Sequence, residues 1–302
     1  MSSATTWALT AAQILTYLMG LAANGFVLKV SFVEWMLSGH VTSSDYFICC
    51  LAFSNIFLQT WFGADWVCDL LLESGPLCRM VYALKMMSCS YSLLLSSWLC
   101  VFYCVRIVSF QNGLLRLIQR NIRKSYKYVI VLSVLLCLAM GLPLAWIGKE
   151  VSITPQINSS HWSNHTTCGY CFISIYRSVL LLFGYSMPLF YVILSAAFIL
   201  RSLTIHMERM RVTMETGHES RVEAHVKAGY TVLSLLLLFA LNFILSIIIL
   251  IDIYPPGHPN LFACYLAITF YSLAHGIVLI RGNRRLREEA AETVRKLLKI
   301  KG

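Results

Sequence analysis

Seven long apolar stretches constrain this 302-residue chain more than any other feature of its sequence. Each is close to the roughly 20 apolar residues that a helix needs to cross a bilayer. Only 13% of the residues are charged, against about 25% in soluble proteins. The sequence therefore predicts an all-α membrane protein, a single seven-transmembrane helix bundle over residues 1–302. The predicted spans are residues 7–33, 46–66, 78–107, 128–148, 176–203, 228–253 and 261–280.

The distribution of basic residues indicates how such a bundle is oriented. Most of the 24 Lys and Arg residues lie in the links after the third and fifth spans and in residues 282–302. Basic loops stay in the cytoplasm. The link after the fourth span carries two N-glycosylation sequons, at Asn158 and Asn164, which then face the opposite side. We therefore expect a multi-pass protein of the cell membrane with its amino end outside and a cytoplasmic tail at 282–302.

The net charge of +10 does not predict nucleic-acid binding, because these basic residues would lie along the inner membrane face. There they attract anionic lipid, which we expect to be a partner. Apolar residues recur near helical spacing in the tail, so we expect a short amphipathic inner helix after span seven. These residues are Leu286, Ala290, Val294, Leu297 and Leu298.

Most of the eleven cysteines lie in the spans and are expected to pack as small apolar residues. Cys168 and Cys171 have the spacing of a metal or redox pair, but no second pair completes a zinc site. Cys78 lies with them on the oxidising side, and we expect a disulfide from Cys78 to Cys168 or Cys171. No catalytic motif is found. We expect no metal, no cofactor and no enzymatic activity.

Two lysines lie inside predicted spans, where a charge is expensive and usually functional. Lys29 can extend toward the inner headgroups. Lys85 and Asp65 flank the Gly75-Pro76 turn at similar distances, which at about 1.5 Å per residue puts both roughly 14 Å inward. We hypothesise that they pair and line an outer pocket. The alternative is a helix rotation that points Lys85 into a water-filled cleft and Asp65 into the headgroups.

Seven spans with basic inner loops and a glycosylated outer loop are typical of a G-protein-coupled receptor. A small seven-span transporter is the alternative from a different class. Transporters often have Gly/Pro-interrupted helices at matching positions in two halves. Of the seven prolines, only Pro143 and Pro188 lie within spans, and they do not form a matched pair.

Six short motifs occur in order along the chain. They are LAANGFVLKVSFVEW (21–35), LAFSN (51–55), VFYCVRIVSF (101–110), SLTIHMERM (202–210), EAHVKAGYTV (223–232) and HGIVLIRGNRRLR (275–287). With these motifs the sequence resembles the bitter taste receptors (taste receptor type 2). A type 1 vomeronasal-like chemoreceptor is the closer alternative, but it is expected to lack the fifth-span SLxxH and EAH motifs.

The resemblance implies a receptor that binds small bitter or toxic organic molecules at its outer end and activates a heterotrimeric G protein of the gustducin/inhibitory type. The candidate ligand-binding residues are Asp65, Trp66, Lys85, Cys89, Tyr185, Asn242, Phe243, Ser246 and Tyr265. The candidate G-protein-contact and activation residues are Tyr103, Arg106, His206, Met210, His225, Lys227 and His275.

The chain departs from the family pattern at several of these positions. Asn55 replaces an Arg of the second span, so a polar network that includes Asn24 is expected to be neutral. Lys85 stands where many members have Trp, and Cys89 where many have Asn. Gly276 replaces the Ser that follows the seventh-span His. The resemblance therefore implies a divergent member and does not identify its ligand.

Overall fold

Eight α-helices make up nearly all of the structure that the computed structural model describes. The helices are α1 (Ser3–Ser38), α2 (Ser43–Leu71), α3 (Pro76–Ile107), α4 (Gly113–Ile147), α5 (Met187–Val212), α6 (Glu219–Leu250), α7 (Pro259–Gly282) and α8 (Arg284–Ile300). No strand occurs among the described residues, which are 3–39, 43–71, 75–108, 113–147, 175–176, 178–212, 219–251, 253–254 and 258–300.

Seven of the helices are long and apolar enough to cross a membrane, which confirms the predicted seven-helix bundle. Most of the helices are longer than the predicted spans. For example, α1 covers Ser3–Ser38, whereas the sequence predicted a span over 7–33. The difference arises because hydropathy marks the part of a helix that suits lipid, while the hydrogen-bonded backbone continues past it. Which end of the bundle faces outward stays a prediction. Following it, we call the end at the Gly75-Pro76 turn between α2 and α3 outer and the opposite end inner.

The fifth span is not one continuous α-helix. A π-helical segment, Leu180–Ser186, runs directly into α5. Pro188 explains the wider turns, because its ring lacks an N–H and clashes with the carbonyl of the residue four positions earlier, here Gly184. The Ser186 hydroxyl donates to the Leu181 carbonyl oxygen at 2.8 Å, five residues back. π-helical turns are rare and often occur at functional sites.

Helix α3 lies at the centre of the bundle and packs against α2, α4, α5 and α6. Of its spanning part, 78% is buried, the largest share among the seven spans. Small residues permit this close approach of neighbouring helices. Most of their hydroxyl groups bond within α3 itself, as when Ser96 Oγ donates to the Ser92 carbonyl oxygen at 2.8 Å. The buried serines of α3 are Ser88, Ser90, Ser92, Ser96 and Ser97.

The predicted amphipathic inner helix is present as α8 and is fixed to α1. Asn283 separates it from α7, and its side-chain oxygen accepts from the Arg285 N–H at 3.1 Å. The Arg285 guanidinium is 2.6 Å from the Glu34 carboxylate and also donates to the Val30 carbonyl oxygen at 3.2 Å. Leu286 is buried in the inner core. These contacts hold α8 beside the inner end of α1.

Candidate functional site

A buried ion pair between α2 and α3 is the main polar feature of the outer half of the bundle. Lys85 Nζ is 2.5 Å from Asp65 Oδ2, and the side chains are 1% and 0% exposed. The Tyr265 hydroxyl of α7 completes the group, 3.3 Å from Lys85 Nζ and 3.4 Å from Asp65 Oδ2. The predicted pair is therefore present. The alternative rotation, with Asp65 among the headgroups, is wrong.

Three aromatic rings surround the ammonium of this pair. Lys85 Nζ lies 4.8 Å from the ring centre of Tyr82, 5.0 Å from that of Tyr265 and 5.6 Å from that of Phe62. All three distances are within the range of cation–π attraction. We call the side chains of Phe62, Tyr82, Tyr265 and Asp65 the ammonium cage.

Sequence reasoning did not find two members of the cage, Phe62 and Tyr82. Each lies three residues before a charged member of the pair, Phe62 before Asp65 and Tyr82 before Lys85. Residues three apart share one face of a helix. That spacing was the available signal, and it becomes useful once the two charges are known to face each other.

Further candidate ligand-binding residues lie in the same apolar cluster as the rings of the cage. We call it the outer cluster, and its buried members include Phe62, Met86, Cys89, Tyr185, Phe239 and Tyr265. Cys89 is one helical turn from Lys85 on α3, and it is buried together with Tyr185 from the π-helical segment. Phe243 of α6 is partly buried against the cluster. The structure thus brings residues of α2, α3, α6, α7 and the π-helical segment into one cluster, and their role in ligand binding stays a prediction.

Asn242 on α6 is fully buried with an unsatisfied side chain. Its side-chain nitrogen and oxygen both lack a hydrogen-bond partner among the residues that the structure describes. Ser246, one turn further along α6, is also buried, and its hydroxyl lacks a hydrogen-bond partner among the described residues. Buried amides in native proteins are almost always hydrogen-bonded. An unpaired one therefore marks a place where a polar group can bind.

Trp66 does not lie in the cage or in the outer cluster, although it directly follows Asp65 in the sequence. It is half-buried and lines a cleft of about 490 Å³ between α1, α2 and the start of α3. Gln13 and Tyr17 form the α1 wall of this cleft, and Leu77 lines it from α3. Neighbouring residues on a helix point about 100° apart around its axis, so Trp66 cannot face the cage when Asp65 does.

A second buried polar group joins α1, α2 and α7 deeper in the bundle. Asn55 Nδ2 is 3.1 Å from Asn24 Oδ1 and 3.1 Å from His275 Nδ1. An amide nitrogen only donates, so His275 Nδ1 accepts and the proton of the neutral imidazole is on Nε2. The network therefore carries no charge, as expected from Asn55 in place of Arg.

Residues around this neutral network fix its geometry. Asn24 Nδ2 donates to the Gly20 carbonyl oxygen at 2.9 Å and the Ser272 carbonyl oxygen at 3.1 Å. The Ser272 hydroxyl donates to the Asn55 carbonyl oxygen at 3.0 Å. Gly276 permits this close approach, since a Cβ at this position would be 3.1 Å from Asn24 Oδ1 and the amide would have to shift by a few tenths of an ångström.

The candidate inner residues fall at the inner ends of α3, α5 and α6. Tyr103 is half-buried between two apolar clusters. The others belong to these helices, but their side chains lie outside the described part of the structure: Arg106, His206, Met210, His225 and Lys227.

The outer-loop predictions rest mostly on residues that the structure does not describe. Cys168, Cys171, Asn158 and Asn164 all lie outside the described residues. Cys78 is buried at the start of α3, in a small cluster with Cys68 and Val81. The disulfide and the two glycosylation sites stay predictions.

Comparison with known proteins places these features in one family. Residues 1–298 match the sequence profile described as "Taste receptor protein (TAS2R)". The chain is similar to taste receptor type 2 member 40 of Gallus gallus, with 28% identity over 89% of this chain and 88% of that protein. It is also similar to member 119 of Mus musculus, with 27% identity over 92% and 82%. Member 13 of Pongo pygmaeus is 26% identical over 95% of this chain and 96% of its own length.

Proposed function

The chain belongs to the taste receptor protein (TAS2R) family, and we propose that this G-protein-coupled bitter taste receptor binds its agonists in the outer half of the helix bundle. The family assignment makes it a multi-pass membrane receptor and not an enzyme, a transporter or a vomeronasal receptor. The agonists are small bitter or toxic organic molecules. The bundle lies with its amino end outside, which the basic inner links support.

The unsatisfied amide of Asn242 is the observation that carries this location. Leaving a buried donor or acceptor unpaired costs about 1–3 kcal/mol. An agonist that hydrogen-bonds to Asn242 removes this cost, and it gains apolar contacts with the surrounding outer cluster. Ligand pockets in proteins combine a mostly apolar lining with a few placed polar groups. The outer cluster has this composition.

Activation follows from a difference in agonist affinity between two arrangements of the bundle. An agonist that binds the open arrangement better shifts the population toward it. The inner ends of α3, α5 and α6 then receive a heterotrimeric G protein of the gustducin/inhibitory type. We assign the contact to Tyr103, Arg106, His206, Met210, His225 and Lys227, with His275 holding the inactive arrangement.

The test is an agonist screen in cells that express the receptor with a promiscuous G protein, read as calcium release against a panel of bitter compounds. Asn242→Leu keeps the side-chain size and removes the hydrogen-bonding groups. We expect it to raise the half-maximal concentration of polar agonists about tenfold, which corresponds to roughly 1.4 kcal/mol. Asn121→Leu, which changes an exposed amide of α4, is the matched control. An unchanged response of Asn242→Leu to every agonist would exclude this location.

A further inference from the structure

We propose that Lys85 is a built-in occupant of an organic-cation site and that this occupancy restricts the receptor to uncharged ligands. The ammonium cage has the components that recognise a primary alkylammonium ion. In the unmodified receptor, the cage is occupied by Lys85 as an internal contact. The same cage without the lysine side chain is a binding site for an organic cation. The statement about ligands rests on the proposed function; the statement about the cage does not.

The geometry of the cage matches a cation and not a neutral or anionic group. Ring faces carry negative electrostatic potential, and three of them lie 4.8–5.6 Å from the nitrogen. The Asp65 carboxylate supplies the counter-charge at 2.5 Å, and the Tyr265 hydroxyl oxygen lies 3.3 Å from the nitrogen. Aromatic cages bind choline and methyl-lysine in other proteins, and a lysine ammonium is attracted to ring faces by the same electrostatics.

The pair also explains why charged ligands are excluded. An incoming cation has to displace Lys85, whose ammonium then lies buried without its counter-ion. An incoming anion has to displace Asp65 with the same consequence for the carboxylate. Removing one partner of a buried pair is strongly unfavourable, and penalties of this kind determine specificity as much as attractive contacts do. An uncharged ligand leaves the pair intact.

The part of the Lys85 side chain that Lys85→Ala removes sets the size of the cation that can replace it. Lys85→Ala removes three carbons and the ammonium nitrogen, and these are the heavy atoms of n-propylammonium. In the variant, the empty space ends at the Asp65 carboxylate and the three rings. We therefore expect n-propylammonium to bind to Lys85→Ala in the position that the lysine side chain occupied.

The experiment measures the melting midpoint of the purified receptor at increasing n-propylammonium concentration. The Lys85→Ala midpoint should start lower than that of the unmodified receptor and rise saturably with n-propylammonium, because a ligand that binds only the folded state stabilises it. Propan-1-ol, which has the same shape without the charge, should have no such effect. The unmodified receptor and Lys29→Ala, which removes an exposed lysine of α1, should not respond. Asp65→Asn/Lys85→Ala should lose the response, since the counter-charge is gone.

Each outcome decides the proposal. A Lys85→Ala midpoint that n-propylammonium leaves unchanged, or that propan-1-ol raises equally, overturns it. If Lys85→Ala does not reach the cell surface, n-propylammonium in the medium should restore its surface expression. If n-propylammonium does not restore the surface expression of Lys85→Ala, then Lys85 is required for packing or charge balance and not as a replaceable cation. This conclusion holds whether or not Asp65→Asn/Lys85→Ala is expressed.

A second arm tests the ligand class. Adding an ammonium group to an uncharged agonist should reduce its potency at the unmodified receptor by roughly tenfold or more, because the added charge has no partner in the neutral site. Lys85→Ala should recover part of that loss. A charged analogue with full potency at the unmodified receptor would overturn the claim on ligand class. The melting experiment uses neither agonist nor G protein, so its failure leaves the proposed function standing, and a failed agonist screen leaves the cage standing.

Discussion

Separating the two charges of the Asp65–Lys85 pair should destabilise the receptor far more than removing both. The side chains are 0% and 1% exposed, so neither charge reaches water when its partner is lost. Breaking a buried pair typically costs about 3–5 kcal/mol, whereas replacing both partners by apolar residues is often neutral or stabilising. We therefore expect Asp65→Leu and Lys85→Met each to fall in that range and the double variant to be close to the unmodified receptor.

The cage makes the two single variants unequal. In Asp65→Leu the ammonium keeps its three ring contacts and the Tyr265 hydroxyl. In Lys85→Met the carboxylate keeps the Tyr265 hydroxyl as a donor but loses the ammonium, and ring faces do not stabilise an anion. One desolvated cation–π contact contributes up to about 2 kcal/mol, so Lys85→Met should be the more damaging change by an amount of that order.

The assay is the melting midpoint of each purified variant, with surface expression as a first measurement. The double-mutant cycle gives the coupling energy directly. A charge exchange extends it. Asp65→Lys and Lys85→Asp should each impair folding, because each places two like charges together. The double exchange should recover only part, since the rings then surround a carboxylate. Double variants as damaged as the sum of the singles would refute the reasoning.

Two further predictions concern the inner and outer ends of the bundle. Arg106→Ala and His225→Ala should leave surface expression intact and weaken agonist-induced calcium release, because both lie on the inner motifs; a fully active Arg106→Ala receptor would contradict its assignment to the G-protein contact. Cys78 should be bridged to Cys168 or Cys171, which by closing a loop of about 90 residues stabilises by roughly 4 kcal/mol. Peptide mapping of the non-reduced protein checks this, and finding all three thiols unbridged would contradict it.

Much of the bundle could be predicted from the sequence because hydropathy reports length and composition directly. That Asp65 and Lys85 lie at the same level of their helices also followed from the chain, since the helix rise and the position of the Gly75-Pro76 turn fix it. The rotation of α2 and α3 did not follow. Rotation depends on how side chains of several helices interlock, and no single segment contains that information. Once rotation is known, Phe62 becomes a member of the cage.

The same limit applies to two of the candidate ligand-binding residues. Trp66 was assigned to the ligand pocket by resemblance, together with Asp65. Adjacent residues face different sides of a helix, and Trp66 lines the neighbouring cleft. Asn242 was assigned by resemblance alone, and its distinctive property, a buried amide without a partner among the described residues, exists only in three dimensions.

The inner network shows how one departure from the family pattern is accommodated by another. Asn55 has a shorter side chain than the Arg it replaces, so Asn24 and His275 have to come within hydrogen-bonding distance of it. Asn55 Nδ2 reaches both at 3.1 Å. That arrangement places the Asn24 amide against the backbone of α7, where a Cβ at Gly276 would be 3.1 Å away. A Ser at this position, as in the family pattern, would require the amide to shift by a few tenths of an ångström. Since a buried amide that loses its partner costs about 1–3 kcal/mol, Gly276 and Asn55 together favour a neutral network that keeps the hydrogen bond between Asn24 and Asn55.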